Sequence, residues 1–387
     1  MHICLFVSWY KTPSTPMYGS FFEEQARALR QENHKVGIFY PSYYNFSNPK
    51  QAQGFTHQND HGLPTYAIQY KSPVPRFTAL GYLFFCRKAL SAFRTYIKNE
   101  GKPDVIHAHS CFFGGLVARY ISRKTNIPYI LTKHYSDLIY KKKFFLVDVV
   151  LAKHIINKAK KVIAVSNGYA QNMAQKLELP QATFTVIPNL VNPIFLAEKM
   201  VEKPHKTEQF RFLTVSFIDK RKNIPLILQA FAQFLALHSH ATLRVCGTYG
   251  DLLPELEQLC HELGISRQVG FSGTVTRTQL VAEYQQANCF LLASQYESFG
   301  VVLIEALAMG LPIISTNSVG PQDIINDKNG VLTQDFEVAT FFNAMMHIYE
   351  NYHKYPPADL RKECAANFSS PKIAQLLLNT YQEAIKA

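Results

Sequence analysis

The sequence predicts an α/β protein made of two parallel-sheet domains, and three observations carry that reading. Short strand-like runs alternate with helix-length runs in both halves of the 387 residues. The alternation breaks at a polar stretch, EKMVEKPHKTEQ at 198–209, and then restarts. The two halves also differ in charge. Strands that alternate with helices pair in parallel, with each helix crossing back over the sheet. A prior of roughly 150 residues per domain is compatible with two or three domains.

In the first half the strand candidates are HICLFVS, KVGIFYP, DVIHAHS, YILTKHY, KVIAVS and FTVIPN, with helical stretches such as FFEEQARALRQEN and GGLVARYISRKT between them. After the linker come FRFLTVS, the helix IPLILQAFAQFLALH, ATLRVCG, the helix LPELEQLCHELG, QVGFSG, the helix TQLVAEYQQA, CFLLAS, a further helix from about Gly300 to Met309, and PIIST. Sheets of this kind bind ligands beyond the carboxyl ends of their strands. Two facing sheets would share one inter-domain cleft.

With 47% hydrophobic and 18% charged residues the composition is that of an ordinary globular chain. Seven scattered cysteines, an odd number without metal-ligand spacing, read as buried free thiols in a reducing compartment. The opening MHICLFVSWY has no basic start and no small-residue cleavage site, and reads as a first strand. No apolar run reaches the roughly 18 residues of a membrane span. Residues 1–195 carry 24 Lys and Arg against 9 Asp and Glu (+15) and the remainder 16 against 19 (−3), which together give the net +12. The basic half holds KKKFF at 141–145 and RFTALGYLFFCRKALSAFRTYIK at 76–98. The latter reads as an amphipathic helix suited to an anionic leaflet, although a solvated helix face over a core is the competing reading. No recognisable nucleic-acid module is present, and no G-x-G-x-x-G follows a strand.

The stretch ESFGVVLIEALAMGLPIIST at 297–316 places Glu305 in a helix that is apolar on nearly every side and stopped by Gly310 and Pro312. A buried carboxylate is costly unless something binds it. Either a core arginine or lysine holds Glu305, or a ligand does.

SQYESFGVVLIEALAMGLPIISTNSVGPQDII, preceded by LRVCGTYG and VGFSGTV, resembles the signature half of the retaining glycosyltransferases of family 4, which have the GT-B fold. PDVIHAHS, IPYILTKH, VIAVS and VIPNLVNPIF in the first half match the same family in the same order, so the resemblance covers nearly the whole chain. It implies two facing Rossmann-like domains with a cleft between them. Residues 1–195 would bind the acceptor, 205–365 the nucleotide-sugar donor, and a terminal helix at about 370–387 would return to the first domain.

The resemblance also assigns roles. Glu305 would accept both hydroxyls of the donor ribose. The helix opening at Ser298, Phe299, Gly300 and Val301 would receive the diphosphate on backbone N–H groups and the helix dipole. Glu297 would reach the sugar hydroxyls or the charge growing at the anomeric carbon. In the loop VSFIDKRKN, Lys222 falls at the family's lysine position and Phe217 stands where arginine is common, with Lys220 or Arg221 as compensating cations. Gly19 would let backbone approach a phosphate or sugar. His134 would face the donor sugar, His109 the acceptor side, and Asn189 would organise the inter-domain segment. No Asp-x-Asp occurs, so the expected mechanism needs no metal and no cofactor beyond the donor, UDP- or GDP-linked.

The implied activity is transfer of a sugar, with retention, to a hydroxyl of a glycan or lipid-linked saccharide in cell-surface polysaccharide or glycolipid biosynthesis. The location would be cytoplasmic or peripheral on the inner membrane face, with an anionic membrane surface as partner and no nucleic acid. The alternative is a nucleotide-sugar-binding protein of the same fold without turnover, marked by Phe217.

Overall fold

The structure is a computed structural model that describes residues 1–11, 19–44, 54–60, 62–71, 79–134, 146–199 and 209–386. The basic run 141–145, residues 76–78 and most of the polar linker lie outside the described residues. The chain forms two compact units, Met1–Leu190 with Ser370–Ala387, and Val191–Ser369. The first boundary thus falls before the 195 read from the sequence, and the second falls after 365.

The first unit holds an eight-stranded sheet of β1 (His2–Phe6), β2 (Lys35–Tyr44), β3 (Gly54–Asp60), β4 (Leu63–Lys71), β5 (Val105–His109), β6 (Tyr129–Lys133), β7 (Val162–Ala164) and β8 (Phe184–Val186). The spatial order is β3-β4-β2-β1-β5-β6-β7-β8. Every pair is parallel except the edge pair β3 and β4, an antiparallel hairpin that the strand–helix alternation did not announce. The helices are α1 (Ser20–Gln31), α2 (Ala79–Glu100), α3 (Leu116–Thr125), α4 (Leu146–Lys158) and α5 (Asn167–Lys176). Ser166 caps α5 by accepting the Tyr169 N–H.

The second unit starts with α6 (Pro193–Ala197) and continues β9 (Arg211–Val215), α7 (Ile224–Leu237), β10 (Thr242–Cys246), α8 (Leu253–Glu262), β11 (Val269–Phe271), α9 (Arg277–Gln286), β12 (Cys289–Leu292), α10 (Val301–Ala308), β13 (Ile313–Thr316), β14 (Gly330–Thr333), α11 (Val338–Glu350) and α12 (Pro357–Phe368). Its six strands are all parallel in the order β11-β10-β9-β12-β13-β14. The last helix, α13 (Ser370–Lys386), belongs to the first unit, where Ile373, Leu377 and Tyr381 join the core under β1 and α1. The near-continuous apolar strands are what a sheet covered on both faces requires. All seven cysteines are free and buried.

Both sheets reverse their winding once, between β1 and β5 and between β9 and β12, and ligands bind at such switch points. In the second unit the loops after β12 and β13 are laced together. Thr316 Oγ1 donates to the Ser294 carbonyl (2.8 Å), Glu297 N to the Ser318 carbonyl (2.8 Å) and Gly320 N to the Glu297 carbonyl (2.7 Å). The two backbones pass so closely at Gly320 that a Cβ there would lie 2.4 Å from Phe299 N. The spacing T-x-x-x-G is therefore a packing requirement, since only a residue without a side chain lets the β13 loop brace the Glu297 loop. We expect Gly320→Ala to lower the unfolding free energy by about 2–3 kcal/mol in urea denaturation. Gly54→Ala, at a site with nothing within 4 Å, should leave it within about 0.5 kcal/mol.

Candidate functional site

The loop after β9 is set by Asp219, which caps the turn Lys220–Lys222 by accepting the Arg221 N–H at 2.9 Å. The same carboxylate pairs with the Arg221 guanidinium. Burial works against the Asp219 charge, but Arg221 and then Lys222 hold its carboxyl below the usual carboxylate range. Lys222 points the other way, and its Nζ lies 2.7 Å from Glu297 Oε2. Gln295 N donates to the Arg221 carbonyl (2.7 Å), so this loop is tied directly to the one after β12. Phe217 is 66% exposed and takes no part in the cluster.

Glu297 sits just before α10. That helix starts at Gly300, whose φ of 100° is open to glycine and strained for other residues and which has no side chain to cap the first turn. Leu303, Ile304, Ala306, Leu307 and Ala308 are fully buried and Glu305 is 5% exposed. The sequence left open what holds this carboxylate. Arg277 Nη1 lies 3.0 Å from Glu305 Oε1 and Tyr284 OH donates to Oε2 at 3.1 Å. Arg277 opens α9 directly after a capping box between Thr276 and Gln279, and its guanidinium lies over the Phe195 ring at 5.5 Å. Burial first, and the Glu305 charge second, push the Tyr284 phenol well above its ordinary range, so it remains a donor. Glu305 thus has a core arginine at one oxygen and a phenol at the other.

In the first unit Gly19 begins α1 with φ 76°. His134 follows β6 and is half-buried, with the Asn189 side chain near its ring. Burial and then the neighbouring Lys133 bring the His134 imidazole down to about 3 despite Asn189. His109 does not face an acceptor, because it is fully buried, with Nδ1 2.8 Å from His134 Nε2. An acceptor cannot touch it here, which corrects the acceptor-side reading. His107, on the same face of β5, is held by Tyr381 OH at Nδ1 (2.7 Å) and Thr132 Oγ1 at Nε2 (2.6 Å). Arg277, Tyr284 and Tyr381 were absent from the sequence reading. Only the cost of burying Glu305 pointed to the first two.

The glycosyltransferase family 4 profile matches residues 19–194, and the profile for glycosyl transferases group 1 matches residues 197–368. The chain belongs to glycosyltransferase family 4. Its structural neighbours are GT-B glycosyltransferases, and the fold is GT-B. A putative teichuronic acid biosynthesis glycosyltransferase, TuaC, of Bacillus subtilis strain 168 is 26% identical over 100% of this chain and 99% of its own length. An alpha-monoglucosyldiacylglycerol synthase of Acholeplasma laidlawii is 26% identical over 68% of this chain and 73% of its own. The Anabaena protein HepE in complex with UDP and glucose has 18% identity and a TM-score of 0.74, covering 99% of this chain and all of that one. The binding-only alternative finds no support in these comparisons. Among the described residues no helix is long and apolar enough to cross a membrane.

The buried histidines make stability pH-dependent. Burial takes His107 down to about 3, and it takes His109, with His107 and His134 beside it, well below its ordinary value. Their folded-state values lie under the unfolded one near 6.5, so the unfolded chain takes up protons that the fold refuses. Stability is fully present above pH 6.5 and falls as the pH drops below it. Urea denaturation should show a loss of about 3 kcal/mol from these two residues by pH 5.5, and His107→Phe should remove about half of that dependence.

Proposed function

We propose that this glycosyltransferase moves a sugar from a nucleoside diphosphate sugar to a hydroxyl of a glycan or lipid-linked saccharide, with retention and without a metal, in cell-surface polysaccharide or glycolipid assembly. The observation that carries the reading is the Lys222–Glu297 pair just before the start of α10, with Glu305 one turn inside that helix, at the switch point of the second sheet. A nucleoside diphosphate sugar presents a diol, two phosphates and a cationic carbon in the transition state, and the cluster has a group for each. Glu305, anchored by Arg277 and Tyr284, accepts the ribose hydroxyls. The backbone N–H groups at Ser298, Phe299, Gly300 and Val301 receive the diphosphate. Lys222 exchanges Glu297 for the phosphate, which frees Glu297 for the sugar.

His134 is the group that the family resemblance assigns to the donor sugar, and near neutral pH its neutral ring offers a fixed N–H and no proton to give. The acceptor oxygen forms its bond to the anomeric carbon on the face that the diphosphate leaves. Its proton passes to the departing phosphate oxygen. No protein nucleophile takes part, so positioning and charge stabilisation supply most of the rate. Lys222 and Arg221 provide positive charge, and the chain has no Asp-x-Asp. The HepE complex with UDP and glucose supports a UDP-linked donor, and the names of the two relatives support a cell-surface or lipid acceptor.

A thermal-shift comparison of UDP, GDP, ADP and CMP tests the donor site. Stabilisation by one diphosphate, unchanged by EDTA and lost in Glu305→Gln, is the expected outcome. If no nucleotide stabilises the native chain, the reading fails.

The membrane surface as partner is supported by α2. Leu80, Leu83 and Phe84 are exposed at its start, and the exposed Arg87, Lys88, Arg94 and Lys98 continue along the same helix face. A helix face with apolar side chains followed by basic ones suits an anionic leaflet. In liposome sedimentation the protein should prefer anionic over neutral vesicles, and Arg87→Glu with Lys88→Glu should weaken that binding about tenfold or more. Equal binding to both vesicle types would remove the membrane from the proposal.

A further inference from the structure

The chain enters the second unit at Val191, and the short helix α6 that follows carries an aromatic side chain into the interior of that unit. Asn192 caps α6 by accepting the Ile194 N–H (3.0 Å), and Pro193 at the first helical position suits that start. From the other side Arg361 of α12 brings its Nη2 within 3.0 Å of the Phe195, Leu196 and Glu198 carbonyl oxygens. Val191 N donates to the Phe368 carbonyl at 2.8 Å. The segment from Val191 to Glu198 is thereby fastened to α12 before and after α6.

Phe195, held in this way, is fully buried, and its ring meets both of the groups that hold the Glu305 carboxylate. The Arg277 guanidinium lies over it at 5.5 Å from the centroid, and the Tyr284 ring stands nearly perpendicular to it, at 5.5 Å and 83°. Arg277 and Tyr284 then reach separate oxygens of Glu305, at 3.0 and 3.1 Å. One flat ring therefore contacts both donors.

Each contact removes a freedom that the carboxylate cannot remove by itself. A long arginine side chain loses rotamer entropy when it is ordered, and a ring face beneath the guanidinium favours the arrangement in which the planar fork meets Glu305. Tyr284 has one phenolic proton and two acceptors in reach, Glu305 Oε2 at 3.1 Å and the Val302 carbonyl at 3.3 Å. A small tilt of the ring decides which oxygen receives the proton. The perpendicular contact with Phe195 sets that tilt. An aliphatic side chain in its place would occupy much of the volume but offer no π face to the guanidinium and no ring to the phenol.

We propose that Phe195 is a positioning residue that acts through Arg277 and Tyr284 to orient the Glu305 carboxylate, and so sets how strictly a ribose diol is required of the donor. The contacts are independent of any ligand, whereas the consequence for the diol rests on the function proposed above. A carboxylate whose plane is fixed can accept both hydroxyls of a diol, and one that turns keeps at most one of them. A 2′,3′-dideoxy nucleotide, which has no diol, isolates that difference.

The test uses the full chain and isothermal titration with UDP, GDP and ADP and with the 2′,3′-dideoxy form of each. The native protein should bind one diphosphate more tightly than its dideoxy form by about tenfold or more. Phe195→Leu should reduce that ratio to about threefold or less by weakening the ribose nucleotide, with the dideoxy affinity kept within about twofold. Phe231 of α7, fully buried against Phe212 of β9, controls for lost core volume. Phe231→Leu should lower the urea midpoint and keep the native ratio. A ratio unchanged in Phe195→Leu overturns the proposal, and so do equal losses of the ratio in the two variants, which would mark a merely structural role.

A second measurement involves no nucleotide. In urea denaturation the loss of stability in Phe195→Leu combined with Arg277→Met should be smaller than the sum of the two single losses, because both substitutions remove the same contact. Additive losses overturn the proposal. Coupled losses in a native protein that shows no preference for the diol would uphold the positioning and overturn the ribose role given to Glu305 above.

Discussion

A carboxylate removed from water must be compensated, and much of the second unit is organised by that requirement at Glu305. The side chain lies in a helix that is otherwise apolar and buried. Its compensation comes from α9, where a capping box fixes the helix start so that Arg277 meets one oxygen and, two turns on, Tyr284 meets the other. Replacing the pair with apolar residues would cost little in stability, whereas removing one partner leaves a buried charge behind. A buried pair of this kind is therefore a weak source of stability, and in the function proposed above it supports the carboxylate. Arg277 reduces the cost of keeping Glu305 charged.

Most of the architecture was legible because parallel sheets write themselves as apolar runs separated by helices. All six strand candidates of the first half are strands, and so are the five that follow the linker. The β3–β4 hairpin escaped because it breaks that rule. β3 is solvent-exposed from Gly54 to Asn59, and its polar sequence GFTHQND carries no apolar stripe. The turn glycine at Gly62, with φ 81°, was the one local signal available. β14 was missed because GVLT is short and follows a polar turn, DKNG.

The site was legible in part. Glu297, Glu305 and Lys222 could be singled out because a charged residue in an apolar context, or a cation in a loop after a strand, needs a reason. Their partners could not. Arg277 is 28 positions from Glu305, His134 is 25 from His109, and Tyr381 is 274 from His107. No periodicity within one element links such residues, and only the register of adjacent parallel strands brings β5 and β6 side chains into one stack. His109 was misjudged for the same reason. A histidine near a strand end reads as available, but the side chain points under its neighbour on the next strand.

The order of elements along the chain also bears on how the protein is made. The first unit contains residues that lie on either side of the second in sequence, since α13 follows Ser369 and packs under β1 and α1. A nascent chain therefore exposes an unfinished first core, without Ile373, Leu377 and Tyr381, throughout the synthesis of the second unit. The second unit, contiguous in sequence, can fold as soon as it has emerged. The phenol that holds His107 arrives last, so the histidine stack is assembled only when the final helix docks. An incomplete or truncated chain would carry a second unit of native form and a first unit whose imidazoles are not yet in place.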